Sequence, residues 1–168
     1  MTADEVIKAL RAWHGPPGRE WAFFGELRAG TGYTAYRDKK GGRYNSEQRF
    51  DAWAINLWPS RGFMRRCYEI KVSRSDFLHE IKHPEKRAAG LSVSNEFYFV
   101  TPKGLVTKDE IPAECGLLEV AEGRITTAVK APYRKIEAAP MTLLSSIARR
   151  AVEYERTANE LRGKPRND

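Results

Sequence analysis

The sequence predicts an α/β fold, a single domain with a mixed central β-sheet flanked by helices. Three observations carry that reading. Residues 49–57 and 66–73 both read as strands, and Trp58-Pro59-Ser60-Arg61-Gly62 between them supplies the Pro and Gly of a turn. Residues 96–101 (Glu-Phe-Tyr-Phe-Val-Thr) are apolar on both faces, as a buried strand is. Segments with helical spacing precede, separate and follow these strands. The chain of 168 residues suits one domain, and 41% hydrophobic with 11% aromatic content argues against disorder. The domain is placed at residues 1–162, with 163–168 as a frayed C-terminal tail.

Residues 3–13 set Val6, Ile7, Leu10 and Trp13 on one helical face, and Gly15-Pro16-Pro17-Gly18 ends that helix. Trp21 to Leu27 reads as a first strand. Residues 29–46, rich in Gly, Tyr and basic side chains, read as a mobile loop with no phosphate-cradling GxxxxGKS pattern. After the hairpin, Ser73 and Asp76 have capping spacing, with Ser75 a second N-cap candidate. A helix follows from Asp76, interrupted near Pro84 and resuming to about Gly90, with Phe77, Leu78 and Ile81 expected to be buried. Residues 109–112 read as a loop and 116–120 as a short last strand. From Met141, apolar residues at 144, 147, 148, 151, 152, 158 and 161 mark a C-terminal helix with Arg149, Arg150 and Arg156 on its solvated side. Cys67 and Cys115 are far apart and form no C-x-x-C, which reads as two reduced thiols. No apolar run reaches membrane-spanning length, and an N-terminus with Asp4 and Glu5 does not resemble a signal peptide, so the expectation is a cytoplasmic protein with no membrane partner.

The informative stretch is Tyr68-Glu69-Ile70-Lys71-Val72-Ser73. Strand alternation points Glu69 and Lys71 to the same side, about 7 Å apart. Such a pair is either a cross-strand ion pair on a solvated face or part of a site for metal-assisted phosphodiester hydrolysis. In the second case the carboxylate holds a divalent cation while the lysine orients a water and offsets developing charge. If the hairpin is centred on Ser60, residues whose numbers sum to 120 face each other. Asp51 then lies opposite Glu69 with alpha carbons about 5 Å apart, close enough for two carboxylates to grip one hard cation. The Ile70 main-chain carbonyl is the further ligand expected. A one-residue slip would turn Asp51 to the wrong face.

Asp51 followed by Glu69-Ile70-Lys71 resembles the PD-(D/E)XK nuclease superfamily. The longer series, Glu69 to Phe77, Pro84-Glu85, Phe97 to Pro102, Ile111-Pro112 and Gly116-Leu117-Leu118, is similar to its MmcB-like DNA repair family over roughly residues 20–150. Phe50-Asp51 stands where the superfamily's name places Pro-Asp. The resemblance implies a restriction-endonuclease-like core and a Mg²⁺- or Mn²⁺-dependent hydrolase acting on DNA in repair or processing. Asp51, Glu69 and Lys71 are then the catalytic residues. It also implies an earlier acidic ligand, for which Glu26 fits best and Glu5 second; from the residues alone Glu26 is equally an edge charge.

Between Arg37 and Arg87 there are thirteen Lys and Arg against seven Asp and Glu, most of the net charge of +7. Such an excess attracts polyanions, DNA in the first place and RNA also. The expected contacts are Arg49, Ser73 and Arg74 beside the site and Lys39, Lys40 and Arg43 in the loop, with Tyr33, Tyr36 or Tyr44 to stack on an unpaired base. The same patch would serve a DNA-binding module without turnover. A rival motif, His79-Glu80-Ile81-Lys82-His83, satisfies the HExxH of zinc metalloproteases. Lys82 inside it, Pro84 directly after it and no third ligand at metzincin spacing count against that use.

Overall fold

Pro59 opens a single 3₁₀ turn, Pro59–Arg61, and Gly62 closes it in the left-handed region (φ 63°), which glycine enters without a Cβ penalty. The turn joins β4 (Arg49–Asn56) to β5 (Arg65–Ile70) as an antiparallel hairpin. Its pairs run from Ala52 opposite Tyr68 to Ile55 opposite Arg65, the register expected for a centre at Ser60.

The computed structural model describes residues 1–29, 36–37, 43–44 and 49–162. Around the hairpin a six-stranded mixed sheet assembles in the order β1-β4-β5-β6-β7-β8. The outer members are β1 (Trp21–Arg28), β6 (Glu96–Pro102), β7 (Gly116–Ala121) and β8 (Arg124–Val129). β5, β6 and β7 are parallel, and the remaining pairs are antiparallel. Between the parallel β5 and β6 the chain passes through α2 (Arg74–Ile81), a 3₁₀ turn at Pro84–Arg87 and α3 (Ala88–Val93), the crossover a parallel pair requires. The sequence is thus a single α/β domain.

Both faces of the sheet are covered. On one, α1 (Ala3–Trp13) lays Val6, Ala9 and Leu10 on Ala52, Ala54, Tyr68 and Val100. Thr2 and Glu5 start α1 with a reciprocal capping box. His14 at its end bonds the buried Tyr68 hydroxyl at 2.7 Å, and burial, then Arg66, pushes the imidazole down to about 3, so it is neutral. On the other face α2, α3 and α4 (Met141–Arg162) pack Phe77, Ala89, Val93 and Leu143 against Trp53, Cys67, Phe97 and Phe99. Trp53, Phe77 and Phe99 are fully buried, each stabilising the fold by roughly 1.5–3 kcal/mol. Both cysteines are buried and free.

Several expectations need correcting. β8 was not anticipated; Glu122 and Gly123, both at positive φ, turn β7 back into it. Leu78 is exposed, and the side chain buried beside Phe77 is Glu80. The buried side of α4 carries Leu143 and Ser146, whereas Leu144, Val152 and Leu161 face outward. Part of the expected loop forms a two-strand ladder, β2 (Tyr36–Arg37) with β3 (Arg43–Tyr44). Among the described residues no helix is long and apolar enough to cross a membrane.

Gly90 allows α3 to sit on the sheet, because a Cβ there would lie 2.7 Å from Phe97 Cε2 and 3.0 Å from Cys67 Sγ. Gly90→Ala should therefore cost about 1–3 kcal/mol by overpacking, measured as a lower denaturant midpoint.

Candidate functional site

The hairpin ladder stops at Ala52 opposite Tyr68, one residue short of Asp51 and Glu69. Past that pair, the Ile70 N–H, which a continuing ladder would aim at the β4 main chain, donates instead to Asp51 Oδ2 at 2.8 Å. The Lys71 N–H faces the other way, to the Val100 carbonyl of β6. Because a strand residue turns its N–H and C=O to the same edge, the Ile70 carbonyl points to the side where Asp51 lies. Asp51 thus sits where the two strands part, fixed by a main-chain bond.

Glu69 and Lys71 alternate with Tyr68 and Ile70, so they lie on the sheet face covered by α2. Lys71 Nζ donates to Glu69 Oε1 at 2.7 Å and lies 3.4 Å from Glu80 Oε2 of α2. The structure therefore brings Asp51, Glu69 and Lys71 together as expected, and adds Glu80, a carboxylate only 8% exposed. Glu80 is the residue sequence reasoning missed. It lies three positions after the buried Phe77, hence on the same helical face, but the HExxH pattern directed attention elsewhere.

The cluster is short of positive charge. Burial raises the Asp51 carboxyl, with Glu80 and Glu26 adding to the rise, against the Ile70 N–H and Lys71. Burial and then Asp51 push Glu69 up to about 7. Burial works to lower Lys71, but Glu69 and Glu80 outweigh it and raise the ammonium. Crowded by Asp51, Glu69 keeps its proton up to about pH 7, and a second cation would relieve the same repulsion. The donors available to such an ion are carboxylate oxygens and one main-chain carbonyl, a set suited to Mg²⁺ or Mn²⁺ rather than zinc. Among the described residues no group of three or more His, Cys, Asp and Glu could hold a metal ion. Two carboxylates completed by a carbonyl, water and phosphate is the way Mg²⁺ is commonly held.

Glu26 stands between Gly25 and Leu27, whose partners Ala52 and Phe50 flank Asp51, and its backbone is left-handed (φ 51°). A non-glycine residue held in that region beside Asp51 is a strained feature of the kind found at functional sites. Glu5 is on the opposite face in its capping box and does not join the cluster.

Part of the positive charge counted along the chain is engaged within the fold. Arg66 pairs with Glu96 at 2.8 Å between the rings of Trp13 and Trp21. Arg87 is buried against Glu114 and the Glu80 carbonyl. Arg74, expected to touch a phosphate, is forked onto Glu110 at 2.7 and 2.5 Å. Ser73 is the N-cap of α2, accepting from the Asp76 N–H, as the simpler reading had it. Arg49 is exposed two residues before Asp51. Lys39, Lys40 and Tyr33 lie outside the described residues, and for Tyr36, Arg43 and Tyr44 only the strand pairing is described.

The HExxH arrangement does not assemble on one helix. α2 ends at Ile81, leaving His83 beyond its C-cap; the His79 and His83 rings still lie 4.7 Å apart centre to centre, but His83 pairs with Glu85 at 3.0 Å and Glu80 is turned inward to Lys71.

No family model matches the chain, and no curated protein matches it. A solved structure, the SPO1766 protein of unknown function from Silicibacter pomeroyi, is similar in fold. It is 19% identical with a TM-score of 0.58, over 99% of this chain and 94% of that one.

Proposed function

We propose that this chain is a Mg²⁺- or Mn²⁺-dependent nuclease of the PD-(D/E)XK type, with a restriction-endonuclease-like core, hydrolysing phosphodiester bonds of DNA in repair or processing. The observation that carries the proposal is the convergence of Asp51, Glu69 and Lys71 where β4 and β5 part, in surroundings that raise both carboxyl groups. The ion, when bound, polarises the scissile phosphate and makes water a better nucleophile. Asp51 and Glu69 would hold it, joined by the Ile70 carbonyl. The Ile70 N–H fixes the Asp51 carboxylate at 2.8 Å. Lys71 stands beside Glu69, placed to orient the attacking water and to offset the charge that builds on the phosphate. Glu80, touching Lys71 from α2, positions the amine.

A second reading, a DNA-binding module on the same fold without turnover, is favoured by one contact. The Lys71 ammonium already lies between Glu69 and Glu80, neutralising part of the charge that an ion would. Incubation of single-stranded, duplex, flapped and branched DNA with Mg²⁺ or Mn²⁺ separates the two. EDTA-sensitive products that disappear in Asp51→Asn are expected from the nuclease; binding without products on every substrate supports the module.

A further inference from the structure

Beside the cluster lies a pocket of about 340 Å³ walled by β1 and β4 on one side and α4 on the other. Arg28, Arg49, Arg149 and Arg150 line it together with Glu26 and Glu153, an excess of two positive charges. Arg28 and Arg49 are direct partners in the β1–β4 ladder, a placement that like charges make unfavourable unless an anion joins them. Among the described residues, no ion pair or hydrogen bond engages the side chain of Arg28, Arg49 or Arg149. Arg150 is held in place, donating to Glu153 at 3.0 Å with its guanidinium 5.0 Å from the Tyr154 ring centre, yet its buried Nε has no partner.

The pocket adjoins the site through two residues. Glu26 lines it and adds to the repulsion on Asp51, and Arg49 is two residues from Asp51 along β4, about 7 Å. Guanidinium forks suit phosphate oxygens. A phosphomonoester carries about −1.5 to −2 at neutral pH, near the excess in the pocket, whereas an internal diester carries a single charge.

We infer that this pocket takes the terminal phosphate of a nucleic-acid strand and so seats the strand end beside Asp51 and Glu69. The inference rests on the nuclease reading for its setting, and its test is independent of cleavage. Dye-labelled single-stranded DNA oligonucleotides ending in a 5′-phosphate, a 3′-phosphate or hydroxyls alone are titrated in EDTA by fluorescence anisotropy. The wild-type chain binds one phosphorylated end about tenfold more tightly than the hydroxyl strand. Arg149→Gln, at an exposed position, removes that preference, while Arg156→Gln, on the same helix but paired with Glu160 outside the pocket, retains it. Equal affinity for all three strands overturns the inference, as does a preference unchanged in Arg149→Gln. An end preference in a chain that yields no metal-dependent products keeps the pocket and removes the nuclease. Products without an end preference do the reverse.

Discussion

Lys71→Ala is expected to lower metal-dependent DNA cleavage by about a hundredfold to a thousandfold, the usual loss when one preorganised donor to a charged transition state is removed. The amine is not a spectator of the fold that merely happens to be near. It is anchored at 2.7 Å to Glu69 and contacted at 3.4 Å by Glu80, so its position relative to Asp51 is set by two elements at once. Its removal also leaves three carboxyl groups without a cation, and an uncompensated buried charge is destabilising. Asp51 and Glu69, already raised by burial, respond by keeping protons, which limits the cost, so the variant should fold at mildly acidic to neutral pH with a lowered melting temperature. Cleavage is therefore measured with thermal melting and with DNA binding in EDTA, both of which should survive. Glu80→Gln, which leaves the Glu69 contact to Lys71 in place, should lose less activity than Lys71→Ala. Wild-type rates in folded Lys71→Ala protein would remove the amine from the mechanism.

What could be read from the chain follows from the range of the forces involved. The hairpin register was legible because Pro59 and Gly62 fix a local turn and strand period carries the consequence nine residues outward from Ser60 to Asp51 and Glu69. β8 was legible in principle from Glu122-Gly123 between two short alternating runs, but Arg124 to Val129 is mostly polar or half-exposed and gives a weak apolar signal. A charge count leaves open which cations the fold engages, for a different reason. Whether Arg66, Arg74 and Arg87 face a ligand or a glutamate depends on partners 30, 36 and 27 residues away, which no local pattern reveals. The same limit hid the pocket. Arg149 and Arg150 read as the solvated side of a helix, and only the packing of α4 over β1 sets them beside Arg28 and Arg49. Glu80 was hidden by a competing motif, although its spacing from Phe77 was in plain view.

Glu69→Gln should raise stability in the absence of divalent cations at about pH 8 while removing cleavage, a trade expected where a site holds charges the fold itself would rather not. Burial, then Asp51, lifts Glu69 from 4.5 in the unfolded chain to about 7 in the folded one. Across that window the folded state keeps a proton that the unfolded chain releases. Stability from this group is thus complete below 4.5 and is lost as pH rises through about 7, by at most roughly 3 kcal/mol. Asp51, raised in the same direction by burial, adds to the fall. Glutamine cannot ionise, so the variant lacks the Glu69 part of the decline, and its melting temperature should overtake that of the wild type as pH rises. Losing the Lys71 partner works against this gain, but Glu80 still meets the ammonium. Mg²⁺ or Mn²⁺ should raise the wild-type melting temperature at about pH 8 by binding the folded state, and should do so far less in the variant. The measurement is thermal melting of both proteins in EDTA and in each cation across this pH range. A wild-type melting temperature flat through the window, with no response to either ion, would mean that Asp51 and Glu69 do not form a cation site.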